Sequence, residues 1–217
     1  MMNKAVALIN AWGAFDEGHP DSSLDDFCRY YLARREKATR EKPPLGVHLP
    51  ASPDGKLMRL LGRIFKLHSI YTVAAMEGTG INMVEEFTLL NTVQQLGEPR
   101  KTEVIYATLQ ELSTGTDMLN RLKKLGYITE HNDKEDKRSK RLKVTPKGDK
   151  ALALCRKRIG QLAEVMFHDL SDDDKRLCFE LLKSVEAKFT GLWQAHKGKK
   201  FEDIYREIVT GDTAGRR

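Results

Sequence analysis

Apolar residues recur at helical spacing along most of this chain. Between about Lys56 and Glu77, Leu57, Leu60, Leu61, Ile64, Leu67, Tyr71 and Ala74 keep the period of one long helix. Gly78-Thr79-Gly80 ends it. Asn82 has the character of an N-cap, with Glu85 three residues on as in a capping box. A helix Met83–Leu96 then buries Val84, Phe87, Leu90 and Val93 and stops at Gly97, with Pro99 beyond. A short helix over Lys101–Thr108 and another over Ser113–Leu125 follow, the latter closed by Gly126. Its apolar stripe is Leu112, Met118, Leu122 and Leu125.

The period then changes. Tyr127-Ile128-Thr129 and Leu142-Lys143-Val144 read as two antiparallel strands, and Thr145-Pro146 as a cap and first-turn proline. Two long helices come next, about Lys147–His168 and Asp172–His196. The first carries a seam of Leu152, Cys155, Ile159, Leu162 and Met166 at +3 and +4 steps; the second carries Cys178, Leu181, Leu182, Val185, Phe189 and Leu192. Ser171 caps the second, and Asp172, Asp173 and Asp174 suit the positive end of its dipole. An amphipathic piece over Phe201–Val209 precedes a Gly/Arg tail. At the other end, residues 1–40 read as two short helices, the second about Leu24–Thr39, before a break with Pro43, Pro44, Gly46, Pro50, Pro53 and Gly55. The pattern gives four segments: 1–54, a helical extension with a Pro-rich arm; 55–81, a long helix; 82–148, helices and a hairpin; 149–217, long helices and a tail.

Composition adds a direction. The 217 residues carry a formal net charge of +6 and a pI of about 9.1, which favours an acidic partner. No apolar run is long enough to span a bilayer. Cys28, Cys155 and Cys178 are odd in number and widely spaced, which fits a reducing cytoplasm rather than a disulfide framework. The histidines show no metal-ligand spacing, and no phosphate loop or nucleophile elbow is present. No cofactor and no metal site are expected, and an enzyme is disfavoured.

The basic excess gathers at the hairpin. Its tip, Asp133 to Arg141, holds Lys134, Lys137, Arg138, Lys140 and Arg141 against three acidic residues. Such a cluster suits phosphates, whose neutralisation releases counterions. Asp136 stands two residues before Arg138 and can hold its guanidinium in one orientation for a narrow minor groove; a surface salt bridge is the bland alternative. Beside it, the helix Ser113–Leu125 offers Ser113, Asp117, Asn120 and Lys124 on the side opposite its stripe, flanked by Thr114 and Arg121. Arg pairs with guanine, Asn with adenine and Asp with cytosine, while Ser and Thr hold phosphates. A solvated polar face fits the same residues.

The run Thr114 to Ile128, then Asp136-Lys137-Arg138, then Leu142 to Gly148 through Val144-Thr145-Pro146, resembles the multiple-antibiotic-resistance regulator (MarR) family. The resemblance covers about Lys56–Leu192. It implies a mainly α protein: a winged helix-turn-helix with a two-stranded β-hairpin wing and long dimerisation helices from both chain ends. It further implies a cytoplasmic homodimer that binds double-stranded operator DNA as a transcription regulator, Arg138 reaching the minor groove and Asp136 steadying it. A repressor released by a small aromatic or phenolic effector is the expected mode. The alternative is a winged-helix module for protein–protein contacts.

By the same resemblance an effector pocket falls at the helix junction, among His68, Tyr71, Met83 and Phe87, with Met76 nearby; by sequence alone these read as core and helix-contact residues rather than as a pocket. Cys155 and Cys178 read as core, and Cys28, near Arg29, Arg34 and Arg35, is the cysteine whose surroundings could favour a thiolate. The first 54 residues exceed the family's short leader. Phe27, Tyr30, Tyr31 and Leu32 give their second helix an apolar side, which favours a role in the dimer; the basic Arg29, Arg34, Arg35, Lys37 and Arg40 give the rival reading, an arm that tracks DNA.

Overall fold

The computed structural model describes residues 3–35, 52–133 and 139–211, in two compact units, residues 1–60 and 61–217. The first unit opens with α1 (Lys4–Asp16) and α2 (Leu24–Arg35). Asn3 caps α1 by accepting from the Ala5 amide at 2.9 Å. Ser23 and Asp26 cap α2 reciprocally: Ser23 Oγ accepts from the Asp26 amide, and Asp26 accepts from the Ser23 amide. The two helices meet through aromatic rings. Trp12 lies edge-on to Phe27 at 4.9 Å, and Phe15 packs against Phe27 and Tyr30 at 5.5 and 4.7 Å. Phe15 and Phe27 are buried. The expected end of α2 at Thr39 lies outside the described residues.

Helix α3 (Pro53–Met76) starts earlier than its apolar period predicts. Ser52 caps it, accepting from the Gly55 amide at 3.1 Å, so Pro53 sits at the first helical position, where its missing N–H costs nothing. Helix α4 (Val84–Leu96) has no capping box. Met83, not Asn82, is the N-cap, and no side chain caps the turn. The chain entry is fixed instead by Gly80, whose left-handed backbone lets its carbonyl accept from Tyr127 Oη at 3.0 Å. A Cβ there would stand 2.3 Å from that oxygen.

Helix α4 touches α5 (Lys101–Ala107), α6 (Leu112–Lys124), the second hairpin strand, Lys140–Val144, and α7 (Pro146–Met166). That central place explains its wide buried face. Leu90 and Val93 are buried as the period predicts, Val84 and Phe87 only partly, and Leu89 and Glu86 are buried as well. Strands β1 (Ile128–Asn132) and β2 (Lys140–Val144) pair antiparallel, Ile128 opposite Val144 and Asn132 opposite Lys140. Arg100 bridges Arg141, and the Leu142 amide donates to Pro99 O at 2.9 Å, so the segment before α5 edges the hairpin.

Thr145 caps α7, accepting from the Gly148 amide at 3.1 Å. Leu152 and Cys155 of its expected seam are fully buried in the same core as Leu119, Leu122, Ile128 and Leu142, as the core reading of Cys155 expects. Helix α8 (Asp172–His196) has the predicted bounds and the predicted Ser171 cap, but no buried residue. Its stripe, with Cys178, faces outward, contrary to a core role for that cysteine. A last helix α9 (Phe201–Tyr205) continues into a π turn over Arg206–Thr210. Among the described residues no helix is long and apolar enough to cross a membrane.

Candidate nucleic-acid interface

Helix α6 begins one residue earlier than its pattern predicts, with Glu111 as N-cap. Its inner face is Gly115, Leu119 and Leu122, with Met118 and Leu125 partly covered. Leu112, assigned to that stripe by period alone, is 45% exposed. Gly115 lets α5 approach closely: a Cβ there would meet Ile105 Cγ1 at 2.7 Å. Between α5 and α6 the turn passes through Leu109 at φ 55°, a left-handed position held by the Gln110 amide donating to Ile105 O at 3.0 Å. These contacts fix the axis of α6 and turn Ser113, Thr114, Asp117, Arg121 and Lys124 outward together. Asn120 is half-buried and accepts from Lys101 Nζ at 3.4 Å.

Two ionic knots support this face. Glu130 on β1 takes Lys101 Nζ at 2.5 Å and Lys123 Nζ at 2.6 Å, tying α5, α6 and the hairpin. Burial pushes the Glu130 carboxyl up, but the hydrogen bonds and charges of the two lysines outweigh it and hold the group below its ordinary value. In the second knot, Asp133, with its side chain 1% exposed, takes Arg100 Nε at 3.1 Å and Arg141 Nε at 2.8 Å. Arg141 Nη1 also donates to Glu98 O at 2.8 Å. Arg141, grouped with the tip by sequence, therefore serves the foot of the hairpin. Beside it, Lys143 and His131 reach Glu98 at 2.9 and 3.2 Å, and the bond from Lys143 holds that carboxyl below its ordinary value.

Lys140 donates to the Asn132 side chain across the strand pair and is exposed. Lys134, Asp136, Lys137 and Arg138 lie outside the described residues. Arg121 is not a free reader: its Nε stands 3.1 Å from Glu86 Oε1, a fully buried carboxylate of α4. Glu86, Arg100, Lys101, Glu130 and Asp133 escape a sequence reading of the site. Glu86 had a signal: Leu89, Leu90 and Val93 lie at +3, +4 and +7 from it, so it is a charge on an apolar face. The others had none, since their partners are distant in sequence.

Of the four expected effector-pocket residues, His68 lines an apolar cleft. A cleft of about 480 Å³ between α3 and α7 is lined by His68 with Leu61, Ile64, Phe65, Ile159, Leu162, Ala163, Met166 and Phe167. His68 Nε2 lies 3.4 Å from Thr72 Oγ1. Tyr71 and Met83 do not line that cleft and are exposed, and Phe87 packs against the winged-helix core. Cys28 is exposed; burial, set partly against a hydrogen bond with Thr79, pushes the Cys155 thiol up.

Residues 84–148 match the family model described as a winged helix DNA-binding domain. No curated protein matches the chain. Among solved structures, a MarR protein from Peptoclostridium difficile is 23% identical with a TM-score of 0.61, over 69% of this chain and 98% of that one. A mutant MarR from E. coli complexed with operator DNA is 23% identical with a TM-score of 0.56, over 59% and 92%. BpsR from Bordetella bronchiseptica, whose DNA binding is regulated by 6-hydroxynicotinic acid, is 19% identical with a TM-score of 0.55, over 60% and 98%. Residues 84–148 thus match a winged helix DNA-binding domain, and the chain shares the fold of the MarR family regulators.

Proposed function

We propose that this chain is a MarR-type transcription regulator that binds a near-palindromic operator as a homodimer, represses, and is released by a small aromatic or phenolic effector. The observation that carries the DNA part is the outer face of α6. Ser113, Thr114, Asp117, Arg121 and Lys124 project together from a helix locked to the core by Leu119 and Leu122, beside a hairpin clamped at Asp133. That is the arrangement a recognition helix and wing need to enter neighbouring grooves. In this reading Lys134, Lys137 and Lys140 meet phosphates, and Arg138, steadied by Asp136, enters the minor groove.

The dimer part rests on α8, which leaves Leu181, Val185 and Phe189 about half exposed, and on α3, which does the same with Leu60 and Ile70 and exposes Phe65 further. Apolar stripes of this length stand in water only at a cost that a second copy removes. Residues 1–54 are assigned to the same dimer role, tested by their deletion and a measurement of subunit association. The effector part rests on the apolar cleft beside His68, whose shape and chemistry suit a small ring.

A mobility-shift assay with duplexes selected from a random pool tests the reading. Log affinity should fall linearly with log salt, and the enriched sites should be inverted repeats. Absence of any enriched duplex at low salt refutes it in favour of a protein-contact module.

A further inference from the structure

We propose that Glu86 is a positioning residue for DNA reading, its buried carboxylate fixing the Arg121 guanidinium on the outer face of α6 to meet a guanine edge in the major groove. This rests on the DNA-binding reading above and names one element of its specificity.

The two side chains have opposite environments. That of Glu86 is 1% exposed and that of Arg121 47% exposed, with Arg121 Nε 3.1 Å from Glu86 Oε1. The approach is close enough for an ion pair but off the hydrogen-bond line. Among the described residues neither Glu86 oxygen meets a donor in hydrogen-bond geometry. The carboxylate is buried on the same face of α4 as Leu89, Leu90 and Val93. A buried carboxylate without a counter-charge is strongly unfavourable, so Arg121 cannot swing into water without exposing that penalty. The pair therefore holds the arginine more firmly than a surface salt bridge would.

The direction of that hold matters. Arg121 shares its helix face with Thr114 and Asp117, seven and four residues back, and with Lys124, three residues on. Tied from within through Nε, its outer half remains on that face. A guanidinium fork held in one direction suits the paired acceptors O6 and N7 of guanine. Because the side chain is ordered before binding, less rotamer freedom is lost on the duplex. Tyr127 senses the same charge: burial raises its phenol first, and the charges of Cys155 and Glu86 add to it.

The test uses the full chain with Glu86→Gln, Arg121→Lys and the double variant. In the DNA-free protein, the Arg121 Nε–Hε NMR signal should be sharp and slow to exchange, absent in Arg121→Lys and broadened in Glu86→Gln. In selection from random duplexes, wild type should enrich guanine at one position per half-site. Glu86→Gln should weaken that single preference by about tenfold, Arg121→Lys should weaken it as much, and the double variant should add nothing. Should Glu86→Gln fail to fold, Arg121→Lys still decides, since it keeps a cation beside Glu86 and removes only the fork. The inference is overturned if Glu86→Gln or Arg121→Lys keeps the guanine preference, or if Glu86→Gln weakens all duplexes equally. Failure of the wild type to enrich any duplex overturns the regulator reading as well.

Discussion

Gly148 should resist alanine although it sits in a helix. It is the third residue of α7, where alanine ordinarily gains roughly 0.5–1 kcal/mol over glycine. Here an added Cβ would stand 2.3 Å from the Tyr127 carbonyl oxygen, 3.1 Å from its carbon and 2.8 Å from Val144 Cγ1. The carbonyl cannot simply turn aside. It accepts from the Thr145 amide at 2.9 Å and lies 3.3 Å from Thr145 Oγ1, the same hydroxyl that caps α7. Forcing the helix off the hairpin costs about 1–3 kcal/mol of overpacking. Weakening the Thr145 contacts adds about 1 kcal/mol. After the propensity gain, Gly148→Ala should lose about 2 kcal/mol, or roughly 4–8 °C in Tm for a chain of this size. Gly160, on the same helix, has nothing within 4 Å of its would-be Cβ. Gly160→Ala should therefore gain roughly 0.5–1 kcal/mol. Urea unfolding of both variants at one protein concentration measures the two signs. A Gly148→Ala protein at least as stable as wild type refutes the close-approach argument.

Asp133→Asn should cost about 1–2 kcal/mol, less than a closed ion pair, because Arg100 and Arg141 are each about a third exposed and screened; unchanged urea stability would show that the clamp is idle. Glu130 titrates below its ordinary 4.5 in the folded chain, so its contribution is present above that value and is lost as pH falls through the folded pKa. The stability gap between wild type and Glu130→Gln should accordingly close on acidification from neutral pH; a gap that persists undiminished to about pH 3 contradicts the assignment. Phe189→Glu, at an exposed apolar position of α8, should shift the chain toward monomer in sedimentation velocity, and a wild type already monomeric at micromolar concentration removes the dimer reading. Arg138→Ala should weaken operator binding by about 1–3 kcal/mol at unchanged Tm, and equal binding would exclude the wing arginine as a contact.

Much of the fold was legible because its signals are local. Ser171 with three aspartates marks the start of α8, and Thr145-Pro146 marks that of α7, since caps are satisfied within one turn. The helix–helix–hairpin order followed from periodicity. Asn82 failed as a cap because the entry to α4 is set from afar, by Tyr127 reaching Gly80. Cys178 failed as core because an apolar stripe reveals a face, not what covers it. At the site, the polar face of α6 was visible, but its supports were not. Arg141 looked like one more tip cation until Asp133 and Glu98 claimed it, and Arg121 looked free until Glu86 did. Such pairs join residues 8 to 43 positions apart, beyond any helical or strand period.

Helix α7 has a mechanical consequence. Its 21 residues make a strut of about 30 Å, stiffened by a continuous backbone ladder. The foot is seated by Gly148 against a backbone carbonyl, with no flexible side chain between them to take up slack. Arg156 adds a brace, gripping Asn91 and Gln94 of α4 at 2.7 and 2.5 Å. The far end, Ile159 to Met166, lines the cleft beside His68. A tilt of about 5° at one end of such a rod displaces the other by about 2.5 Å. With so rigid a footing, a change in packing at the cleft would tilt α7 as one rod rather than bend it.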